Sequence, residues 1–371
     1  MKVKTLPSLR CSFFFCLSLI LGCSKSGPES SNFFLSNEYP EKLSDWNLVW
    51  LDGDSIKISE DSTVYELKSS LFSDYASKLR TLRLPKGQPA VYEEHDSFVF
   101  PVGTIISKTF FYRSSDQHTV NLNSNWSGSP EDLTLDNTRL IETRLLVMQE
   151  TGWEALPYIW KGGDAYLTIT GDLKELTLAD TDENFFYQVP SKNQCASCHT
   201  TNHSEGALLP IGLKARHLNH SNTHYGENQL LHLQKNGQLA GLPNLEEAPQ
   251  LVDFSDPSES LEARARAYLD INCAHCHNQK GPADTSALLL EYTDLEPRSY
   301  GSCKPPIATG RGSGGLMYSI VPGQAHESIM SFRLSSRDPA EMMPEIGRTL
   351  VHKEGVTLID KWINSMTGRC V

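Results

Sequence analysis

Positive charge is scarce in this sequence. Its 371 residues include 33 Lys and Arg against 45 Asp and Glu, and the formal net charge is −12. Nucleic acids are bound through clustered cationic side chains, so nucleic acid is not an expected partner. The Gly-rich stretch "IATGRGSGG" at 307–315 also lacks the Gly-Lys-Ser/Thr ending of a phosphate loop. The sequence therefore argues against nucleic-acid and nucleotide binding.

A hydrophobic run long enough to span a bilayer is also missing. The apolar run at 11–21 is shorter than the about 20 residues that a spanning helix needs. It follows a basic segment without acidic residues, which is the pattern of a secretory signal. The run ends in "ILGCS", which resembles the lipobox of bacterial lipoproteins. We predict that residues 1–22 are a signal peptide and that Cys23 is lipidated; ordinary cleavage that leaves Cys23 as a thiol is the alternative.

The lipid anchor predicts a location in the bacterial cell envelope. Ser24, rather than Asp, follows the lipidated cysteine, and by resemblance to lipoprotein sorting this favours the outer membrane. Residues 23–40 contain "SKSGPESSN" and are predicted to be a flexible tether. We therefore expect a periplasm-facing protein that contacts the membrane through its lipid.

Residues 41–190 have the period-2 patterns and turn signals of strands, which predict a β-rich domain. "TGW" at 151–153 predicts a turn between two strands, and Gly171-Asp172 predicts a second hairpin. The region contains no phosphate loop, metal-ligand cluster or nucleophile motif. Its role is not indicated by the sequence, and binding of a partner protein or a carbohydrate is one hypothesis.

The nine cysteines carry most of the chemical information. Two lie in the predicted signal peptide, and one is the predicted lipid site. Four more form two CxxCH motifs, "QCASCHT" at 194–200 and "INCAHCHNQKGP" at 271–282. The remaining two, Cys303 and Cys370, are predicted to form a disulfide, because the envelope is oxidising.

Each CxxCH motif places two thiols one helical turn apart and a histidine directly after the second. Covalent haem requires this arrangement, because each thiol adds to one vinyl group while the histidine reaches the iron. A thiol redox pair needs a βαβ setting and no histidine. A zinc ribbon joins CxxC pairs about 15–20 residues apart, whereas the second motif begins 74 positions after the first one ends. Two covalent haem c groups are predicted, with the thioether residues Cys195, Cys198, Cys273 and Cys276 and the iron ligands His199 and His277.

The second iron has a candidate sixth ligand in "EMMPEIGRTL". Met343, next to Pro344, is predicted to ligate it, with Met342 as the alternative. The carbonyl of Pro282 is a candidate partner for the free ring nitrogen of His277. A His/Met ligand pair raises the reduction potential of a haem.

The first iron has no such methionine, since none occurs between 200 and 272. Its sixth position is predicted to take a histidine from the segment after the motif, to be filled from another domain, or to be open. Arg311 is a candidate partner for a haem propionate. The histidine candidates are His217, His220, His224 and His232.

Helical patterns flank the second motif. Asp256, Pro257 and Glu259 predict a helix start, and an apolar stripe runs from there into the motif. A second stripe, from Val356 to Met366, predicts a C-terminal helix. The fold class expected is therefore multidomain α+β, with mainly α-helical cytochrome c-type haem domains after the β-rich domain. The predicted haem segments are a first haem c segment at 191–255 and a class I cytochrome c-like domain at 256–371.

An ordered series of motifs resembles a family of secreted dihaem c-type cytochromes with a β-rich N-terminal region. The stretches are "FVFPVGTIISKTFFY", "LIETRLLV", "VPSKNQCASCH", "SLEARARAYLDINCAHCHN", "CKPPIATGRGSGG" and "MMPEIGRTLVH". The resemblance covers about residues 40–370. It implies two covalent haems with His199 and His277 as proximal ligands, and it is consistent with Met343 on the second iron.

The leading hypothesis from the sequence is a dihaem cytochrome that transfers electrons between an unknown donor and an unknown acceptor protein. The alternative is an enzyme, a dihaem peroxidase or related oxidase, in which the first haem is open. Electron transfer is favoured because the sequence shows no separate catalytic constellation.

Overall fold

The secondary structure is known for residues 1, 30–114, 118–122, 126–307 and 309–371, which the computed structural model describes. The expected signal peptide and the lipid site Cys23 lie outside them. The strands are β1 (Val49–Asp52), β2 (Ser55–Ile58), β3 (Ser62–Val64), β4 (Ser77–Arg83), β5 (Ala90–Val91), β6 (Ile105–Arg113), β7 (Thr119–Val120), β8 (Thr138–Gln149), β9 (Gly152–Lys161), β10 (Asp164–Leu167), β11 (Asp172–Leu178), β12 (Asn184–Val189) and β13 (Leu239–Ala240). The helices are α1 (Lys192–His199), α2 (Ala215–Leu218), α3 (Gln229–Lys235), α4 (Leu261–Cys273), α5 (Ile329–Ser335) and α6 (Lys353–Ser365).

The largest sheet has six antiparallel strands in the order β10-β9-β8-β6-β4-β3. Two smaller sheets have the orders β1-β2 and β12-β11-β7. A fourth, the parallel pair β13-β5, joins the chain after the first CxxCH motif to the β-rich region. The first motif's segment is therefore attached to the β-rich region by a strand pair.

Three apolar cores contact the six-stranded sheet, and its two faces belong to different cores. Successive side chains of a strand point to opposite faces, so Leu145 and Leu146 belong to different cores. The core with Leu145 also contains Trp46 of the N-terminal segment. The core with Leu146 also contains Leu213 and Leu218, which follow the first motif. The chain after residue 190 therefore packs directly on the sheet.

The two hairpin predictions have different outcomes. The turn at "TGW" is confirmed, because β8 and β9 pair antiparallel from Gln149 and Gly152 outwards. The hairpin at Gly171-Asp172 is wrong, since β10 pairs with β9 and β11 pairs with β12. Gly171 has a φ of +75°, and a Cβ there would lie 2.5 Å from the Val189 carbonyl oxygen. The glycine thus turns the chain into a second sheet.

The expected mainly α-helical haem domains are a wrong prediction. In the described residues after 190, only α4 and α6 reach 13 residues, and the other helices are short. Long irregular stretches separate them, above all between α4 and α5. Glycines and prolines recur through that stretch and prevent a continuous helix. None of the helices described is long and apolar enough to cross a membrane.

The two long helices pack on each other around the second motif. Leu269 of α4 and Ile359 and Trp362 of α6 are buried in one core, as the apolar stripes predict. Helix α4 begins later than expected, at Leu261, because the Ser260 side chain accepts the Ala263 N–H at 3.2 Å. The predicted pairing of Cys303 with Cys370 is present as a disulfide.

Candidate functional site

The first CxxCH motif forms the last turn of α1. Its helix begins with a capping box: the Ser191 hydroxyl accepts the Gln194 N–H at 3.2 Å, and the Gln194 side chain accepts the Ser191 N–H at 2.9 Å. Such a cap stabilises a helix start by about 1 kcal/mol. The eight-residue helix therefore has a defined start before it presents Cys195, Cys198 and His199.

The second motif lies where α4 ends. Cys273 is the last helical residue, and its carbonyl accepts the N–H groups of Cys276 at 3.1 Å and His277 at 2.9 Å. These bonds fix the motif as one further turn. The side chains of Cys273 and Cys276 are thus displaced by about one turn, as in the first motif.

The two motifs meet in space although 74 positions separate them. The Cys276 sulfur lies 3.7 Å from the Ser197 carbonyl oxygen, inside the first motif. The His203 N–H donates to the Lys280 carbonyl at 2.6 Å, just beyond the two motifs. Any groups attached to the two motifs would therefore be neighbours.

Two cavities lie beside the motifs, and Cys276 and His277 line neither of them. The large cavity has about 1080 Å³ of space between protein atoms, part of it open to solvent, and the small cavity has about 650 Å³. Cys195 and His199 line both cavities. The large cavity is also lined by Cys198, Cys273, His275 and Met343.

His199 is held in the orientation of a metal-binding imidazole. Its Nδ1 lies 2.8 Å from the Leu209 carbonyl oxygen, which can only accept, so Nδ1 carries the proton and Nε2 the lone pair. Burial and the nearby Lys108 ammonium lower the pKa of His199 to about 3. The ring is therefore neutral near pH 7, as an iron ligand must be.

The histidines of the second motif are also neutral, because burial lowers the pKa of both His275 and His277 to about 4. The Nδ1 atoms of both rings are buried without a hydrogen bond of normal geometry to any described residue. The contact predicted between His277 and the Pro282 carbonyl is therefore wrong. His275, which lies between the two cysteines of the second motif, also lines the large cavity. Sequence reasoning did not single it out, although its place inside the motif was visible.

The four motif cysteines are free thiols. Burial raises the pKa of every one of them, and it raises the pKa of Cys273 and Cys276 to about 12. Thiol–disulfide exchange requires a thiolate, which a low thiol pKa provides. These surroundings thus oppose that chemistry.

Met343 lines the large cavity, whereas Met342 is buried outside both cavities. The Met343 backbone is fixed by Arg348, whose Nη2 donates to the Met343 carbonyl at 2.9 Å. The Met343 N–H in turn donates to the Arg333 carbonyl at 3.0 Å. Of the two methionines predicted for the second iron, Met343 is the one placed with the motifs.

The four histidine candidates for the first iron line neither cavity, and each has another partner. His217 Nε2 lies 3.1 Å from Asp270, and His220 Nδ1 lies 3.0 Å from the Ser221 carbonyl. His224 lies 3.8 Å from a carboxylate oxygen of Glu131, and His232 lies 2.6 Å from one of Glu227. Arg311 is likewise paired on the surface, with its Nη2 2.6 Å from Asp338. All five are engaged away from the motifs.

Sequence reasoning missed a line of basic side chains beside the first motif, of which Arg80 is buried and Lys108 and Arg144 are partly buried. Arg80 of β4 pairs across the sheet with Lys108 of β6, which pairs with Arg144 of β8. Cross-strand partners share one face of a sheet, so these three side chains, called the cationic row below, stand side by side. Lys108 and Arg144 line both cavities, and Arg80 lines the small one. The available signal was a basic residue inside each apolar strand, in "KLRTL", "ISKTF" and "ETRLL".

The described residues contain no group of three or more His, Cys, Asp or Glu side chains able to hold a metal ion by themselves. Comparison with protein-family models, with curated proteins and with solved structures finds no match to this chain.

Proposed function

We propose that the protein is a dihaem c-type cytochrome that passes single electrons in the bacterial cell envelope. The observation that carries the proposal is the contact between two CxxCH motifs beside a cavity that Cys195, Cys198, His199, Cys273 and Met343 line. A covalently bound haem would supply an iron that cycles between Fe(II) and Fe(III). The donor and acceptor proteins are unknown partners.

The residues present fit two haems. Cys195 and Cys198 would hold the first and Cys273 and Cys276 the second, with His199, His277 and Met343 as iron ligands. The fit rests on the oriented, neutral His199, on the neutral His277, and on a cavity that Cys195, Cys198, Cys273 and Met343 line together. The protein's own contribution is to hold these groups, keep the imidazoles neutral and restrict water.

Contact between the motifs supports electron transfer within the protein. Because Cys276 touches the backbone of the first motif, two attached haems would be neighbours rather than separate sites. One electron could then enter at one haem and leave at the other. We propose membership of the dihaem family on the same motifs, with the β-rich region serving as the wall of the cavities.

Haem content tests the proposal directly. The mature protein, produced with a haem c maturation system, is expected to give two haems per chain by pyridine haemochrome and intact mass. Replacing both cysteines of one motif by alanine should leave one haem. The matched control is Cys303→Ser with Cys370→Ser, which removes two cysteines outside the motifs and should keep both haems. No covalent haem in the parent protein would refute the proposal.

An enzyme is the second candidate, because the small cavity contains no histidine or methionine except His199 among its described lining residues. A first iron facing that cavity would keep an open sixth position, as a peroxidase needs. A high-spin haem together with peroxide turnover would support this alternative. Two low-spin haems that are inert to peroxide would exclude it.

We further propose that a lipid on Cys23 holds the protein at the outer membrane, facing the periplasm. The support is the "ILGCS" motif with Ser24. Cys23→Ala should move the protein from the membrane fraction to the soluble fraction of the cell envelope. Unchanged fractionation would contradict the anchor.

A further inference from the structure

The cationic row places three basic side chains side by side, and burial together with the neighbouring Arg144 and Arg80 lowers the pKa of Lys108 to about 7. Cations opposite each other on neighbouring strands repel, and each loses hydration when it is buried. Arg80 is only 7% exposed. Its guanidinium offers five N–H donors, yet the one hydrogen bond that it makes within the described residues is a 3.4 Å contact to the Lys78 carbonyl. The row therefore costs stability unless an anion faces it.

The charged groups around the row do not supply that anion. Glu142 is fully buried, and its carboxylate is already occupied by Arg144 Nε at 2.8 Å and by the Tyr187 hydroxyl at 2.6 Å. Glu66 acts on Arg80 only from a distance, since its carboxylate accepts from Thr223. No carboxylate of the described residues lies within 4 Å of Arg80 or Lys108.

A further basic residue, Lys78, stands beside the row. Its Nζ lies 5.6 Å from the centre of the Phe110 ring, which the Lys108 Nζ and the Arg144 guanidinium also approach. Lys78 lines neither cavity, however, and donates to the Ala76 carbonyl at 2.7 Å. The uncompensated charges that face the cavities are thus those of Arg80 and Lys108.

The row and the first motif face the same space. Cys195 and His199 line both cavities, as do Lys108 and Arg144. A group attached at the first motif would therefore share its cavity with the row. Arg348 also lines the large cavity, but its donors go to backbone carbonyls, including those of Met343 and Leu350. It does not compete for an anion.

We propose that the cationic row binds the propionate carboxylates of the haem attached to the first motif. The inference rests on the proposed function, because it needs a haem at Cys195 and Cys198. A haem carries two carboxylates, and the row has two cations without a carboxylate partner. Guanidinium and carboxylate groups form strong, directional pairs in such dry surroundings.

The test compares Arg80→Gln and Lys108→Gln with the control Lys78→Gln in the mature two-haem protein. Each replaces a basic side chain on the same sheet face, but Lys78 lines neither cavity, and burial lowers the pKa of Lys78 well below its ordinary value. The readout is the reduction potential of each haem, followed spectroscopically between pH 5 and 9. Loss of a cation beside the haem favours ferric iron, so the first haem's potential should fall in both row variants.

A carboxylate that has lost its cation also binds a proton more readily. The potential of the first haem should therefore become pH-dependent in the row variants, falling as the pH rises. The parent protein and Lys78→Gln should show little change with pH over the neutral range, and the second haem should serve as an internal reference.

Three results would overturn the inference while leaving the two haems established. The first is that row variants and control show the same potentials and pH profiles. The second is that Lys108→Gln turns the first haem from low spin to high spin, which would make Lys108 an iron ligand. The third is that added phosphate or acetate shifts the parent's potential and Arg80→Gln abolishes the shift, which would make the row a site for a soluble anion. Absence of covalent haem would instead refute the proposed function.

Discussion

The two CxxCH motifs are alike in sequence and stand on different supports. The first motif ends a short helix that packs against β9 of the six-stranded sheet, next to the cationic row. The second ends α4, whose apolar face packs on α6 through residues such as Trp362. The first region is thus built from a sheet and charges, and the second from two helices and an apolar core. The same motif chemistry is placed in two electrostatic environments.

This difference would affect the reduction potentials of haems bound at the two motifs. Cations beside a haem disfavour ferric iron, and a methionine ligand raises the potential by another route. If both motifs hold haem, the protein would set one potential by charge and the other by ligand. The contact between Cys276 and Ser197 keeps the two environments adjacent.

A buried ion pair joins the two regions. Breaking it is expected to give the largest loss of stability and shows whether the fold depends on the contact between the regions. Arg216 of α2 and Asp270 of α4 are both at least 98% buried, with Nε and Oδ1 3.0 Å apart. Arg216→Met keeps the length of the side chain and leaves the carboxylate without its cation. We expect a loss of about 3–5 kcal/mol in the free energy of unfolding, measured with urea.

The matched control is Arg216→Met combined with Asp270→Leu, which removes both charges and should recover part of that loss. Acid gives an independent check. Burial raises the pKa of Asp270, but Arg216 and His217 outweigh it and hold that pKa below its ordinary range. Stability from this carboxylate is present above about pH 4 and lost as the pH falls further. A single variant within about 1 kcal/mol of the parent would show that the regions do not depend on the pair.

Structural features set by residues close together in the sequence could be predicted, whereas features set by tertiary contacts could not. The apolar stripes of α4 and α6 and the β8–β9 turn are local patterns, and they were predicted. The pairing of Cys303 with Cys370 followed from counting the cysteines. The prediction of mainly helical haem domains was wrong. It extended the helical periodicity of α4 and α6 to the Gly- and Pro-rich chain between them.

The site was predictable only in its covalent chemistry. The CxxCH residues and Met343 could be named from motifs, but contact between the motifs depends on tertiary packing. The cationic row consists of one residue from each of three strands, and only their register brings the residues together. The four histidines after the first motif were nearby in sequence, and their partners point them elsewhere.

Close packing between the helices of the second region can be tested at Gly355 of α6. A Cβ there would lie 2.4 Å from the Tyr268 hydroxyl and 2.5–2.6 Å from its ring. Gly355→Ala should therefore cost about 1–3 kcal/mol of unfolding free energy, despite the better helix propensity of alanine. The absorption spectrum of a haem bound at the first motif should not change.

Gly163→Ala is the matched control, because nothing lies within 4 Å of the added Cβ and its φ is not left-handed. Its unfolding free energy should change by less than about 1 kcal/mol. If Gly355→Ala were as stable as this control, α4 and α6 would be less closely packed than the structure has them.

The smallest expected effect separates the starts of the two motif-bearing helices. Ser191→Ala removes the hydroxyl that accepts the Gln194 N–H and leaves the Ser191 N–H bonded to the Gln194 side chain, and Ser260→Ala likewise removes one bond, from the Ala263 N–H. A lost cap costs about 1 kcal/mol, so both variants should unfold slightly earlier in urea. The first should cost more, because α1 has eight residues and α4 has thirteen with an apolar core behind them. Hydrogen exchange at the backbone of each motif would show where the loss falls, and equal exchange in both variants would contradict separate supports for the two motifs.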